Sequence, residues 1–395
     1  MRQREALQVY LYKLVHGEEP GILAVFLLGL LRVFSMLYGL GVRIKLYLYR
    51  SGFLKQHKLD CKVISLGNIT VGGTGKTPTA QRLSTIIREM GYRVVILNRG
   101  YRAGWSGDVG VVSDGNKIYM TVTEAGDEAY LLAKSLPGIP VVIGKNRILT
   151  GEYAVKELKA DVIILDDGYQ HWQLARDLDI VLIDALNMFG NNFLLPRGTL
   201  REPLANLARA QVFLLTKVDQ STDDSRDIIL STLARYHNNA LIVESIHQPK
   251  CFVEIEEWYK GLQMNDVALE TIRDKKVVAL SAIGNPSSFE QTILDIGVAE
   301  VCGVRYTDHH DYTMAEMQEI MQRGVDEKAY ALITTEKDAV KIPPEFIHSD
   351  RPLPLYVLSI AVHFTEGYED LMELIKKTAD KKGKIVDEYN MHNPS

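Results

Sequence analysis

A chain of 395 residues, 46% of them hydrophobic and with a formal net charge of -5, can bury a large core, and it lacks the basic excess that marks nucleic-acid binding. Its three cysteines, Cys61, Cys251 and Cys302, lie far apart and fit neither a zinc nor a disulfide spacing, which points to a reducing compartment. Charged residues fill the first twenty positions with no small-residue cleavage site behind them, so no secretory signal is expected.

The first element along the chain is the apolar segment Gly21 to Val42, close to the ~20 residues of a membrane span but with Arg32 at its middle. Gly29, Arg32, Ser35, Gly39 and Arg43 recur at intervals of three and four, so they form one narrow polar stripe on a helix otherwise covered by large apolar side chains. A helix lying in a membrane surface fits this pattern, with Lys45 and Arg50 extending the basic edge toward anionic headgroups. A buried core helix and a single span are the alternatives.

Next, the strand-like run Val63 to Leu66 feeds a glycine-rich turn ending in Gly75-Lys76-Thr77, and a helical segment, Thr79 to Met90, follows. That order is what a phosphate-binding loop needs. Gly72, Gly73 and Gly75, with Thr74 between them, let backbone N–H groups converge on phosphate oxygens; Lys76 neutralises charge and Thr77 offers a hydroxyl to Mg²⁺. Thr70 stands where the usual first glycine falls, so the loop is read as a variant anchored further back, at Gly67.

Short β-branched runs follow, Val94 to Leu97, Val141 to Ile143, Val162 to Leu165, Ile180 to Ile183 and Val212 to Leu215, with helical stretches such as Glu124 to Ser135 and Lys145 to Lys159 between them. They predict an α/β fold of the P-loop NTPase type, a doubly wound parallel sheet whose ligands bind at the carboxyl ends of the strands. Asp166 and Asp167, just behind one such strand, stand where a Walker B aspartate holds Mg²⁺, and Gly168 allows a sharp turn there. Gly126-Asp127-Glu128 opens a helix, where acidic residues also serve as plain capping. Arg99, Arg147, Arg197 and Arg201 suit an anionic substrate.

A looser stretch after Ala240 is expected to lead, from about Lys275, into a smaller α/β lobe, and the tail from Lys376 to Ser395 to be frayed. The expected division is a membrane-associating region (1–55), a P-loop domain (56–245), a linker (246–274) and a C-terminal lobe (275–395). Thr335-Glu336-Lys337-Asp338 reads as a helix cap, and Asp308-His309-His310-Asp311 lies between elements, with metal binding as its alternative reading.

Taken in order, Gly-Asn-Ile-Thr-Val-Gly-Gly-Thr-Gly-Lys-Thr-Pro from Gly67, Arg-Gly-Tyr from Arg99, Gly-Asp-Glu-Ala from Gly126, Gly-Lys-Asn-Arg from Gly144, Asp-Asp-Gly-Tyr-Gln-His from Asp166 and Leu-Pro-Arg-Gly-Thr-Leu-Arg-Glu-Pro from Leu195 resemble the tetraacyldisaccharide 4′-kinase (lipid A 4′-kinase) family, as do Gly284-Asn-Pro, Asp308-His-His and Thr335-Glu-Lys-Asp. The resemblance implies ATP and Mg²⁺ as cofactors and, as acceptor, the 4′-hydroxyl of an acylated glucosamine disaccharide 1-phosphate at the cytoplasmic face of the inner membrane. No nucleic acid and no obligate protein partner are implied. By the same resemblance Asp127 and His309 form a base pair for the acceptor, Lys76 and Asp167 serve catalysis, and Arg147, Gln170, His171, Arg201 and Glu202 lie near the substrate. Two other P-loop classes share part of the pattern. Thr216-Lys217-Val218-Asp219 is close to a guanine-binding signature, and membrane-associated partitioning ATPases share Gly-Gly-x-Gly-Lys-Thr.

Overall fold

The computed structural model describes residues 10, 13–15, 21–261 and 266–380. Helix α1 spans Ile22–Arg50, longer than its apolar stretch. The large lobe begins with β1 (Lys62–Gly67) and α2 (Lys76–Glu89), continues through β2 (Val94–Asn98), β3 (Gly110–Ser113), α3 (Val122–Ala125), α4 (Asp127–Ser135), β4 (Val141–Ile143), α5 (Arg147–Lys156) and β5 (Val162–Asp166), and adds β6 (Leu178–Asp184), β7 (Val212–Thr216) and α6 (Asp223–Tyr236). β8 (Leu241–Glu254) and α7 (Ile255–Lys260) lead to the second lobe: β9 (Lys276–Ser281), α8 (Pro286–Asp295), β10 (Glu300–Arg305), α9 (Met314–Asp326), β11 (Ala331–Thr335), α10 (Glu336–Ala339), α11 (Pro344–Ile347), β12 (Leu355–Glu366) and α12 (Tyr368–Ala379).

The twelve strands among the described residues share one sheet, in the order β10-β9-β11-β12-β8-β7-β6-β1-β5-β2-β4-β3. Both halves are parallel and meet at an antiparallel seam, β12 on β8, with β3 added antiparallel at the far edge. The β-branched runs form strands because both their faces are covered; every residue of β5 is buried, and each apolar side chain so buried contributes ~1.5–3 kcal/mol.

Three expectations need correction. The stretch after Ala240, read as loose and as a linker from 246, is a 14-residue strand that stitches the halves together. The helix expected over Glu124 to Ser135 is two, broken at Gly126, where φ is 82° and a Cβ would stand 2.5 Å from the Tyr101 carbonyl oxygen. Lys376 to Ala379 belong to α12, not to a frayed tail, and residues 381–395 lie outside the described part.

Helix α1 is not a core helix. The middle of its stripe meets the protein, where Ser35 Oγ donates to the Leu194 carbonyl at 2.9 Å, a Cβ on Gly39 would be 2.7 Å from Leu194 Cδ1, and Arg32 lies 5.6 Å above the Phe193 ring, while Gly29 and Arg43 at its ends are exposed. Many of its large apolar side chains are exposed, among them Phe26, Val33 and Leu37, while Ser35 and Gly39 dock the helix on the loop 187–207.

Candidate active site

The phosphate loop joins the C-terminal end of β1 to α2. Gly75 takes φ 82° as the residue before the helix, which aims the first N–H groups of α2 into the loop. A Cβ at Gly67 would stand 2.6 Å from Tyr169 Cβ, so this glycine lets β1 and the Asp166–Tyr169 turn pack together. Thr70, in place of the usual glycine, bridges to Leu200 and is buried. The Val71 N–H donates to the Thr199 carbonyl at 2.8 Å and the Arg201 N–H to the Ile69 carbonyl at 2.7 Å. The entrance of the loop is therefore clamped by residues 199–201.

Behind β5, the turn residue in the left-handed region is Asp167 itself, φ 53°, rather than Gly168. Gly168 is needed for room: a Cβ there would be 2.6 Å from Leu165 Cγ. Asp167 accepts both arms of the Arg201 guanidinium, at 2.7 and 2.9 Å, and lies 3.7 Å from Lys76 Nζ. Burial alone would raise its carboxyl, but the Lys76 and Arg201 cations outweigh that and hold it well below the usual carboxylate range. Asp166 differs. Asn98 Nδ2 donates to its Oδ2 at 2.7 Å, while Oδ1 is buried with no hydrogen-bond partner among the described residues. Burial first, then the Glu128 charge, push this carboxyl up to about 6.

Asp127 opens α4 and is buried; its Oδ2 lies 2.7 Å from His309 Nδ1. Burial pushes its carboxyl up, but the His309 hydrogen bond and the Lys337 charge bring it below its ordinary value. His309 sits at φ 62° in the loop after β10, with its carbonyl held by Arg102 at 2.7 Å. The two residues, 182 apart in sequence and from different lobes, are thus already joined. His310 turns away, its Nε2 3.2 Å from Glu316 and its ring stacked 4.4 Å from Tyr306. His309 and His310 thus point to different partners, Asp127 and Glu316, rather than to one common centre. The loops meet at Gly284, where a Cβ would be 3.1 Å from the Gly73 nitrogen and 3.6 Å from Asp308 Oδ2.

The remaining candidates divide. Arg147 is buried, its NH1 bonded to the Gly144 carbonyl and its Nε without a described partner; burial lowers it to about 10, with the Asp166 charge opposing. Gln170 donates to the Asn68 carbonyl at 2.9 Å and leaves Oε1 buried and unpaired. His171 Nε2 is also buried and unpaired, and burial, followed by the Arg147 and Arg176 cations, lowers the ring to about 4, so it is neutral at pH 7. Glu202, expected near the substrate, points the other way: its carboxylate is fully buried against Arg209, at 2.7 Å, and Asn206, at 2.7 Å. It holds the Arg201 loop. Sequence reasoning missed Asn68, whose Oδ1 takes Lys76 at 3.2 Å and Arg201 at 3.3 Å, and Asn98 beside Asp166. Both stand at the carboxyl ends of strands, a position that marks candidates in such sheets.

The profile of the family described as "Tetraacyldisaccharide-1-P 4′-kinase" (LpxK) matches residues 27–379. A curated tetraacyldisaccharide 4′-kinase of Halothermothrix orenii is 36% identical over 382 residues, covering 95% of this chain and 98% of its own. One from Anaeromyxobacter sp. (strain Fw109-5) is 42% identical over 330 residues, 83% of this chain and 86% of its own. The crystal structure of LpxK from Aquifex aeolicus in complex with ATP superposes with a TM-score of 0.68 at 30% identity, covering 89% of this chain and 99% of that one. With the family's profile matched over most of its length and its fold shared from the phosphate loop to the second lobe, the chain belongs to the tetraacyldisaccharide 4′-kinase family.

Proposed function

We propose that this protein transfers the γ-phosphoryl group of ATP to the 4′-hydroxyl of a tetraacylated glucosamine disaccharide 1-phosphate, a step of lipid A biosynthesis, at the cytoplasmic face of the inner membrane. The observation that carries this reading is the meeting at Gly284 of the phosphate loop with the loop that holds His309 against Asp127. A phosphate cradle and a hydroxyl-directed carboxylate then share one cleft. Purified protein with ATP, Mg²⁺ and the disaccharide 1-phosphate should give a bisphosphate product, one phosphoryl group heavier by mass. Release of inorganic phosphate without that product would refute the assignment.

In this reading the backbone N–H groups of Gly72–Gly75 and the Lys76 ammonium hold the β- and γ-phosphates, while Arg147, Gln170, His171 and Arg201 border the disaccharide. The unpaired atoms on Arg147, Gln170 and His171 are then the groups that await a polar ligand. Thr77, Asp166 and Asp167 fit Mg²⁺: two carboxylates and a hydroxyl suit a hard cation that also takes phosphate oxygens, and the orphaned Asp166 Oδ1 lacks such a counter-charge. When bound, the ion neutralises charge on the phosphates. A cavity of about 320 Å³ lined by Asp219, Gln220 and His247, with His247 Nε2 2.9 Å from a Cβ on Gly75, has room for the nucleoside end. GTP tested as donor beside ATP decides whether Thr216–Asp219 read guanine instead.

The apolar face of α1 supplies the membrane contact. Phe26, Val33 and Leu37 are 68%, 54% and 60% exposed. Replacing all three with glutamine removes ~1.5–3 kcal/mol of burial per side chain from the bilayer boundary. The triple variant should shift from membranes to the soluble fraction and raise KM for lipid with KM for ATP unchanged. Unaltered partitioning in a flotation assay would assign membrane contact elsewhere. Since α1 leans on the loop that carries Arg201, with Tyr38 Oη donating to the Arg201 carbonyl at 2.8 Å, the membrane contact and the substrate cleft adjoin.

A further inference from the structure

Lys337 belongs neither to the phosphate loop nor to the acidic pair, yet its ammonium stands behind His309. Its Nζ lies 3.3 Å from Glu128 Oε1, 3.2 Å from Asp308 Oδ1 and 3.4 Å from His309 Nε2. An ammonium has protons to give and no lone pair, so toward an imidazole nitrogen it can only donate, and Nε2 is the acceptor. The ring proton is then on Nδ1, which faces Asp127 Oδ2 at 2.7 Å. Among the described residues, the carboxylate oxygen paired with Nε2, Asp308 Oδ2, is 3.8 Å away, beyond hydrogen-bond range, and its twin oxygen is taken by Lys337. Lys337 is itself well placed for this: it lies in the first turn of α10, where Thr335 Oγ1 accepts the Asp338 N–H, so the ammonium comes from a fixed backbone.

Building on the reading of Asp127 and His309 as the pair that deprotonates the acceptor, we infer that Lys337 is a positioning residue of the kinase reaction: by donating to Nε2 it fixes His309 as the neutral Nδ1–H tautomer and leaves the Asp127 carboxylate, not the imidazole, to take the proton. The step balances as follows. The hydroxyl proton passes to an Asp127 oxygen, the hydroxyl oxygen bonds to the γ-phosphorus, and the bond from that phosphorus to the β,γ-bridging oxygen breaks to leave ADP. The carboxylate stays oriented throughout by the Nδ1–H of His309 and by the Glu128 N–H, 2.9 Å from its Oδ1.

The test uses the full chain, histidine-labelled with ¹⁵N, in detergent micelles, with the His309 signals assigned by their loss in His309→Gln. Wild type should show a protonated Nδ1 and an acceptor-type Nε2. In Lys337→Met the Nε2 donor is gone and the signals should move toward a tautomer mixture, with kcat down roughly 10²-fold or more and KM for ATP little changed. Lys337→Arg, which restores charge and donors, should recover most of both. If Lys337→Met does not fold, Lys337→Gln, which keeps a donor without charge, is read instead and should retain the Nδ1–H signature. An unchanged tautomer, or activity restored simply by raising ATP, overturns the inference and makes Lys337 a phosphate contact. Failure of the underlying reading looks different: Asp127→Ala and His309→Ala would then keep near-wild-type rates whatever Lys337 does.

Discussion

Replacing Lys76 with alanine should lower the single-turnover rate by roughly 10³-fold while leaving the circular dichroism spectrum and melting temperature close to wild type. The asymmetry follows from what Lys76 touches. Its ammonium lies 3.2 Å from Asn68 Oδ1 and 3.7 Å from Asp167, so its loss orphans no buried group: Asn68 and Asp167 both keep Arg201. In the proposed reaction what disappears is a cation next to the transferring phosphoryl group, where charge develops on the oxygens. Asp167→Ala should behave otherwise. It removes a bidentate partner and leaves the Arg201 guanidinium, about three-quarters buried, without its carboxylate, so it should cost stability of about 1.5–3 kcal/mol as well as activity. A Lys76→Ala protein that turned over at near-wild-type rate, with its fold intact, would remove the phosphate loop from the reaction.

The parallel strands of the large lobe were legible because burial on both faces leaves a dense β-branched signature. β8 was not, because it pairs at a seam rather than inside a parallel stack. Its middle, Gln248-Pro249-Lys250, reads as a loop, and Pro249 can lie in the ladder only where the register slips, opposite the shift between Ser359 and Ile360. Within the site, the motif residues could be read because phosphate chemistry fixes both their types and their spacing. Glu202 misled for a simple reason: it adjoins Arg201 in sequence, but the two side chains diverge, Arg201 to Asp167 and Glu202 to Arg209. Lys337 escaped because its tetrapeptide is already accounted for as a cap, and the cap is real: the Asp338 N–H reaches Thr335 Oγ1 at 3.1 Å. A local motif that explains the backbone leaves the side chain unread. Asn68 stands in the motif that starts at Gly67 but outside the glycines and Lys-Thr that carry phosphate chemistry, and the meeting of Lys76 and Arg201 on its amide oxygen marks its role.

Asp127 and His309 should behave as one unit in a double-mutant cycle. Each single alanine is expected to depress kcat by roughly 10²–10⁴-fold, the range of a positioned acid–base group, and the double variant should be little worse than the poorer single. The reason is geometric. Asp127 stands at the start of α4 in the large lobe and His309 in the loop after β10 in the second, so neither supports the other through local structure; what joins them is one contact of 2.7 Å. Without His309, Asp127 keeps the Glu128 N–H on Oδ1, but Oδ2 is left buried with no donor, and a carboxylate so placed turns and titrates differently. Without Asp127, His309 has no carboxylate at Nδ1 and nothing takes the hydroxyl proton. Either loss disables the pair, so removing the second member finds little left to remove. Single-turnover rates at saturating ATP and at two Mg²⁺ concentrations also separate the metal alternative, in which excess Mg²⁺ would rescue His309→Ala; with His309 Nδ1 already engaged by Asp127 Oδ2 at 2.7 Å, no rescue is expected. Fully additive losses would show two independent groups, and the proton would then need another acceptor in the cleft.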